Sequence, residues 1–299
     1  MDPDHWFDWS RLHNPIYAHE GWSVKDACMV HSDNAVYLFF SAFFWDRGRE
    51  RSHVVGVRTT DFRTYSNPLF QIDGREADWY GLCSPDLTKV DDVFVLTYNS
   101  WGDHPDKPNQ LFYATSQDLT EWTFGQPLAP ELTHGVRAID AAVTQHHGRI
   151  FLSWKERQTP QIAWASNLEG PWHRLGRPGK GWFENQQFLT LDDTPHMLIT
   201  RKDFQPYLME LEGNLEEETA WLRWSAARRL EVPQQAFNTH DRTNAAYLAD
   251  WRHHDGYAYL LYAGSTEGHT HAGRGDNRLG LARSRDLQVW DVPPCQSSF

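Results

Sequence analysis

The chain has 299 residues and carries 28 Lys and Arg against 40 Asp and Glu, which gives a formal net charge of −12. This length suits one large domain or two small ones. The negative charge disfavours nucleic acid and anionic membranes as partners, because like charges repel. Hydrophobic residues at 40% and charged residues at 23% exclude general disorder. A small neutral substrate fits this composition better than a polyanion.

Targeting and cysteine signals are weak. Residues 1–10 contain neither a basic n-region nor an apolar h-region, and no run approaches the roughly 18 apolar residues of a membrane span. We therefore expect a cytoplasmic protein with no membrane partner. Cys28, Cys83 and Cys295 are far apart in the sequence. A disulfide framework and a zinc site are therefore not expected.

A repeated phrase runs along the whole chain. It consists of a polar or acidic residue, a short apolar run, a polar turn and an aromatic β-rich run, which together predict a β-hairpin. The five copies lie, in chain order, at 26–41, 84–98, 139–154, 183–200 and 243–262. A further β-run follows, and a closing signature Ser-x-Asp-Leu-x-x-Trp ends the unit at 116–122 and 284–290, with looser copies at 60–65 and 166–172.

The spacing of these copies predicts the fold. Positions 26, 86, 140, 184 and 244 are separated by 60, 54, 44 and 60 residues, and units of about 50 residues with four strands each are typical of β-propellers. The sequence therefore predicts an all-β, five-bladed β-propeller with about four antiparallel strands per blade. It forms a single domain over 1–299, with blades opening near those five positions. Trp122, Trp172 and Trp290 are expected to pack in the core.

Four carboxylates recur near the start of successive units: Asp26, Asp86, Asp140 and Glu184. In a propeller, equivalent inner-strand positions converge on the central axis, so these side chains are expected around one funnel. An alternative is that each acid caps a tight turn, as Asp often does. Clustered carboxylates repel and raise one another's pKa, which a sequence selected for stability alone would avoid. We therefore interpret the cluster as functional.

Grouped carboxylates beside aromatic residues suit the cleavage of a glycosidic bond. One carboxyl group must protonate the leaving oxygen while another, ionised, activates water or attacks carbon, and a third can keep the pKa of the acid high. Aromatic rings provide flat platforms for sugars. The candidates for such platforms are Trp45, Trp79, Trp101 and Trp182.

The motifs resemble those of the five-bladed glycoside hydrolases, most of all family 43, which contains arabinofuranosidases, xylosidases and arabinanases. The family phrases Asp-Pro-Ser/Ala, Ala-Pro-Asp, Ile-Asp-Pro and Glu-Gly-Pro/Ala-Pro are similar to Asp-Ala-Cys at 26–28, Ser-Pro-Asp at 84–86, Ile-Asp-Ala at 139–141 and Glu-Asn-Gln at 184–186. The missing prolines mark a divergent member. The resemblance implies that Asp26 is the general base, Asp140 the pKa modulator and Glu184 the general acid.

Further residues are candidates for substrate binding. The full predicted set comprises Asp86, Trp45, Trp101, Arg137, Arg201, His240 and Asn244. If Arg137, Arg201 and Arg242 converge, they favour an anionic substrate such as a uronic acid or phosphate. His269 to Arg274 add hydrogen-bonding groups near the last blade, although pairing with surface acids is the favoured interpretation for His269 and His271. No cofactor is expected, and a central structural cation is possible but not indicated.

Several functions compete. The leading hypothesis is an inverting hydrolase of a pentose-type sugar (arabinofuranoside or xyloside), acting on a small carbohydrate or oligosaccharide. One alternative is a retaining fructosidase-like enzyme, although the Asn-Asp-Pro-Asn, Arg-Asp-Pro and Glu-Cys motifs of those families do not occur here. Others are a phosphorylase-like propeller and a non-catalytic carbohydrate-binding propeller. A carboxylate separation of about 6.5–9.5 Å indicates inversion and about 5–5.5 Å retention.

Overall fold

The computed structural model describes residues 6–102, 104, 106–179, 181–266 and 277–296. Strands dominate it, which confirms the all-β prediction. The helical elements are short: α1 (Pro130–Thr133), α2 (Arg252–Asp255) and the 3-10 segments Trp9–Arg11, Gly74–Ala77, Glu218–Leu222 and Ala236–Asn238. Within these described ranges, no helix is long and apolar enough to span a membrane.

The strands form five consecutive antiparallel groups. The first is β1 (Ser23–Ser32), β2 (Ala35–Asp46), β3 (Arg49–Thr59) and β4 (Phe70–Asp73), and the second is β5 (Gly81–Val90), β6 (Val93–Trp101), β7 (Leu111–Ser116) and β8 (Thr123–Pro127). The third is β9 (Ala138–His146), β10 (Arg149–Glu156), β11 (Thr159–Ala165) and β12 (His173–Gly176). The fourth is β13 (Glu184–Leu191), β14 (Thr194–Thr200), β15 (Pro206–Glu210) and β16 (Arg228–Arg229), and the fifth is β17 (Asn244–Asp250), β18 (Ala258–Gly264) and β19 (Arg278–Ser284).

The groups are joined around a common centre. The first strands of the groups, β1, β5, β9, β13 and β17, contact one another in a closed cycle. A single parallel pair, Ser52 with Gly81, also links the first two groups into one sheet. Residues near both ends of the chain extend the fifth group: Leu279 exchanges backbone hydrogen bonds with Ile16 and Tyr17, and Arg283 pairs with Asp291.

Each inner strand is interrupted at the same structural position. A register shift occurs there in all five strands, and the residue within it has a positive φ. These residues are Asp26 (φ 51°), Ser84 (φ 54°), Asp140 (φ 57°), Asn185 (φ 50°) and Ala245 (φ 46°). The backbone therefore aligns Asp26 with Asp140, as expected. It differs from the sequence alignment elsewhere, because Glu184 lies one residue before this bulge and Asp86 two residues after it.

Side chains on the second strands hold neighbouring groups together at these bulges. Ser41 Oγ accepts a hydrogen bond from Ser84 N at 2.8 Å, and Asn99 Oδ1 accepts one from Asp140 N at 2.9 Å. Thr200 Oγ1 accepts one from Ala245 N at 3.1 Å. The equivalent position of the third group, opposite Ile139 in the β9–β10 pairing, is Lys155. Lys155, whose side chain can only donate, therefore occupies the position at which Ser41, Asn99 and Thr200 supply an acceptor.

The closing signature forms a recurrent turn. In the second group, Ser116 Oγ accepts from Leu119 N, and Asp118 Oδ1 accepts from the backbone N–H groups of Thr120 and Glu121. Asp286 makes the same pair of bonds in the fifth group. Backbone N–H groups donating to the Asp118 carboxylate lower its pKa to about 2. Trp172 and Trp290 are buried in hydrophobic clusters and Trp122 packs against one, in agreement with the sequence interpretation.

Candidate active site

A cavity of about 470 Å³, here called the first cavity, opens where the inner strands meet. Its residues come from all five strand groups and the segments between them. Those that matter for the chemistry are Lys25, Asp26, Trp101, Arg137, Asp140, Lys155, Glu184, His240, Asp241 and Asn244. The structure thus brings together the three predicted catalytic residues and four of the seven predicted substrate-binding residues.

Asp26 lies on one side of the first cavity and is only 7% exposed. Its Oδ2 accepts a hydrogen bond from Ser41 Oγ at 2.9 Å, and its Oδ1 accepts one from Asn185 Nδ2 at 3.1 Å. The ammonium group of Lys25 is 3.4 Å from the same Oδ1. Burial raises the pKa of Asp26 and the nearby Asp140 carboxylate adds to the increase, although Lys25 and Ser41 counteract it.

Asp140 and Glu184 share one cation, Lys155. The Lys155 ammonium group is 3.3 Å from Asp140 Oδ2 and forms an ion pair and hydrogen bond with Glu184 Oε2. Burial acts to raise the pKa of Asp140, but Lys155 and then Lys25 outweigh it and hold that pKa below its usual value. Burial acts to lower the pKa of Lys155, but Asp140 and Glu184 raise it. The pair of carboxylates is therefore compensated by one buried ammonium group.

Sequence reasoning missed Lys25 and Lys155. Lys25 is the residue just before the aligned Asp26, and its ammonium pKa is raised because its carboxylate neighbours, Asp26 first among them, outweigh the effect of burial. Lys155 lies at the end of an apolar run in β10. A signal for it was present, because aligning the second strands of the repeats places Lys155 level with Ser41, Asn99 and Thr200. The sequence analysis compared only the first strands.

The first residue of β17 and the segment before it also contribute polar side chains to the first cavity. His240 Nδ1 lies 3.2 Å from Asp241 Oδ1, and Asp241 Oδ2 accepts a hydrogen bond from Asn277 Nδ2 at 3.4 Å. Asn244 is buried, and its Oδ1 has no hydrogen-bond partner in the part of the chain that the structure describes. A buried acceptor without a partner that lines a cavity is suited to a ligand hydroxyl group.

A neighbouring cavity of about 490 Å³, here called the second cavity, continues from the first. Trp101 and Arg137 line both cavities. The remaining lining residues of the second cavity are Trp45, Gly48, Arg49, Glu50, Tyr80, Gly102 and Asn109. The predicted platform Trp45 therefore lies here rather than in the first cavity, and it is 44% exposed.

Other predicted site residues lie elsewhere. Asp86 lines a small cavity of about 30 Å³ together with Asp26 and Asp140, and its burial raises its pKa well above the usual value. It does not line the first cavity because it lies two residues beyond the bulge. The Arg201 guanidinium group stacks on Tyr207 at 4.7 Å and lines neither main cavity. The Arg242 side chain also lines neither, so the three arginines do not converge.

The other predicted sugar platforms have different surroundings. Trp79 is 9% exposed and belongs to a hydrophobic cluster. The Trp182 ring lies 5.4 Å from the Lys155 ammonium group, and its Nε1 donates to Gln158 at 2.9 Å. His269 to Arg274 lie outside the described residues. Within the described ranges, no three His, Cys, Asp or Glu side chains are grouped as a metal site would require.

No protein-family model and no curated protein matches the sequence. Solved structures do. A glycosyl hydrolase from Bacteroides ovatus is 14% identical, with a TM-score of 0.63 over 93% of this chain and 88% of its own. A family 43 β-xylosidase/α-arabinofuranosidase from a compost microbial metagenome, solved with xylotriose, is 14% identical, with a TM-score of 0.63 over 94% and 97% of the two chains.

Another similar structure belongs to family 130, a family of mannoside phosphorylases that contains glycoside hydrolases targeting β-1,2 mannosidic linkages in Candida mannan. It is 14% identical, with a TM-score of 0.65 over 95% of both chains. Identities this low establish the fold and leave activity to the chemistry of the site. The chain therefore has the propeller-like fold of family 43 and family 130 enzymes.

Proposed function

We propose that the protein is a glycoside hydrolase built on a five-bladed β-propeller, in which each of the five strand groups is one blade. The observation that carries this proposal is the meeting of Asp26, Asp140 and Glu184, from three different groups, in one cavity. A cavity of about 470 Å³ is within the usual range for small-molecule sites, roughly 300–1,000 Å³. Two carboxyl groups flanking a bond are the equipment that glycoside cleavage requires.

The proposed roles follow the resemblance to family 43. Asp26 acts as the general base, and its raised pKa makes its carboxylate a stronger proton acceptor. Glu184 acts as the general acid. Asp140 orients the site and influences its proton affinity through Lys155, which contacts both Asp140 and Glu184. For Glu184 to carry a proton, its ion pair with Lys155 must loosen, so substrate binding is expected to displace the ammonium group towards Asp140.

We propose an inverting mechanism on a pentose-type sugar, an arabinofuranoside or xyloside. The support for this choice of sugar is the family 43 resemblance, together with the xylotriose complexes of two similar structures. Inversion requires water to attack from the face opposite the leaving group. Nuclear magnetic resonance of the first sugar released tests this part, because an inverting enzyme produces the opposite anomer before mutarotation.

A screen of aryl glycosides tests the activity itself. Wild type is compared with Asp26→Asn and Glu184→Gln on α-L-arabinofuranoside, β-D-xyloside, β-D-galactofuranoside and fructoside substrates. Loss of the acid or the base is expected to reduce turnover by roughly 10²–10⁴-fold while the fold is kept. Glu121→Gln, an exposed change outside both cavities, is the matched control. Wild-type turnover in Glu184→Gln would contradict the role of Glu184 as the general acid, whereas a wild type that turns over none of these substrates would favour a non-catalytic carbohydrate-binding propeller.

Phosphorolysis is the second candidate, and one observation favours it: Arg137 brings a guanidinium group to the first cavity. A phosphorylase uses inorganic phosphate in place of water and releases a sugar phosphate. The same screen distinguishes the two reactions when it is run with and without phosphate. Turnover that requires phosphate indicates phosphorolysis, whereas turnover in phosphate-free buffer indicates hydrolysis.

A further inference from the structure

Arg137 differs from the other two cations of the first cavity. The ammonium groups of Lys25 and Lys155 are paired with carboxylates. Arg137 is half-buried at the boundary of the two cavities, and its guanidinium group forms no ion pair, side-chain hydrogen bond or aromatic contact with the residues that the structure describes. In a protein with a formal charge of −12, a half-buried cation that is left without a carboxylate is a candidate for binding an external anion.

The backbone around Arg137 is fixed on both sides. Gln110 Nε2 donates to Thr133 O at 3.1 Å and to Val136 O at 3.0 Å, just before Arg137. The carbonyl oxygen of Arg137 itself accepts from Arg157 N at 2.8 Å. These bonds reduce the backbone freedom that binding would otherwise have to remove, so the position of the guanidinium group is preorganised.

The second cavity provides further groups of the kind that an acidic sugar needs. The Arg49 guanidinium group lies over the Tyr80 ring at 4.0 Å and has no ion pair within the described part of the chain. Asn109 is 4% exposed, and its Oδ1 has no hydrogen-bond partner among the described residues. Trp45 and Trp101 add aromatic faces. The lining thus combines two cations, one carboxylate (Glu50), a buried acceptor for a hydroxyl group and flat apolar surfaces.

From this arrangement we propose that the second cavity binds an acidic sugar unit whose carboxylate pairs with Arg137. A planar guanidinium group binds a carboxylate through two parallel hydrogen bonds, which a neutral sugar cannot supply. The Asn109 amide oxygen accepts from a hydroxyl group of the same unit. That this unit is attached to the sugar that is cleaved rests on the proposed function, whereas the binding of the acidic sugar does not.

Calorimetric titration with sodium D-glucuronate, D-glucose and inorganic phosphate tests the proposal on the full-length protein. We expect glucuronate to bind at least about tenfold more tightly than glucose. Arg137→Gln is expected to weaken glucuronate binding at least about tenfold and to leave glucose binding and the melting temperature unchanged. Arg63→Gln, a change of the same kind at an exposed turn outside both cavities, is expected to match wild type.

Three results would overturn the acidic-sugar site. These are equal affinity for glucuronate and glucose, wild-type glucuronate binding in Arg137→Gln, and tighter binding of phosphate than of glucuronate through Arg137. The last result would assign the oxyanion to phosphate instead of a sugar carboxylate. Glu184→Gln separates the two proposals, because it should lose turnover but bind glucuronate as wild type does. If the wild type is inactive but binds glucuronate, the acidic-sugar site is retained and the hydrolase is rejected. If the wild type is active but does not bind glucuronate, only the hydrolase is retained.

Discussion

The two adjoining cavities contrast in how their charges are arranged. In the first cavity, Lys25 and Lys155 are held against carboxylates by short, buried contacts. In the second cavity, Arg49 lies on an aromatic ring, and Arg137, which lines both cavities, has no ion-pair partner among the residues described. Charges that are paired within the protein contribute to stability and set proton affinities, whereas charges left unpaired at a cavity are available to a ligand. The contrast supports the two proposals, which place the chemistry in the first cavity and the recognition of an acidic sugar in the second.

The largest expected effect is on stability. Lys155→Met leaves the buried Asp140 carboxylate and the partly exposed Glu184 carboxylate without the cation that they share and should lower the free energy of unfolding by about 3–5 kcal/mol. Arg137→Gln should change it by no more than about 0.5 kcal/mol, because no internal partner is lost. Urea denaturation measures both values. Lys155→Arg is the charge-conserving control. If Lys155→Met and Arg137→Gln had equal free energies of unfolding, the two cavities would not differ in how their charges contribute to stability.

A second prediction concerns the pH dependence of the proposed reaction. Asp26 must be ionised to act as the base, so kcat/KM falls as the pH drops through the Asp26 pKa. Burial raises that pKa and Lys25 opposes the increase. Lys25→Met should therefore move the acidic limb of the kcat/KM profile to higher pH, by roughly 1–3 units.

Lys89→Met, which removes an exposed ammonium group near the end of β5 and outside both cavities, is the control for this profile and should leave the limb in place. A limb that stays fixed in Lys25→Met, or that moves to lower pH, would show that Asp26 is not the titrating base. The proposal that the ion-paired residues of the first cavity serve catalysis would then lose its main support.

The smallest expected effect is on binding. Trp45→Ala removes an exposed ring from the second cavity and should raise KM by roughly 2–10-fold for an oligosaccharide substrate, with little change in stability. Trp79→Ala is the contrasting variant, since Trp79 is a core residue, and should lower the free energy of unfolding by about 3–5 kcal/mol. An unchanged KM in Trp45→Ala would argue against a sugar platform in the second cavity.

Strand content could be predicted from the sequence because each hairpin has a local signature. Alternating apolar runs and turn residues identify β1 and β2 or β9 and β10 without tertiary information, and the Ser-x-Asp-Leu-x-x-Trp signature forms its own hydrogen-bonded turn. The positions of residues within the inner strands, relative to one another, were harder to predict from the sequence. Each bulge shifts the register by one residue, and Glu184 and Asp86 lie on opposite sides of their bulge residues, one residue before Asn185 and two residues after Ser84. Such shifts depend on packing between groups, which the repeat spacing does not record.

The sequence by itself determined the β-strand repeat and its period, because these depend on local residue patterns. It also identified the Asp26, Asp140 and Glu184 carboxylates that meet in one cavity, because they lie near the same place in successive repeats. Only the tertiary structure decided which charges are paired. Lys155 contacts two carboxylates from a second strand, Arg201 contacts Tyr207, and Arg137 lies between two cavities with no ion pair to any described residue. Pairing of this kind depends on distances between residues far apart in the chain, and those distances are set when the five groups pack around a common centre.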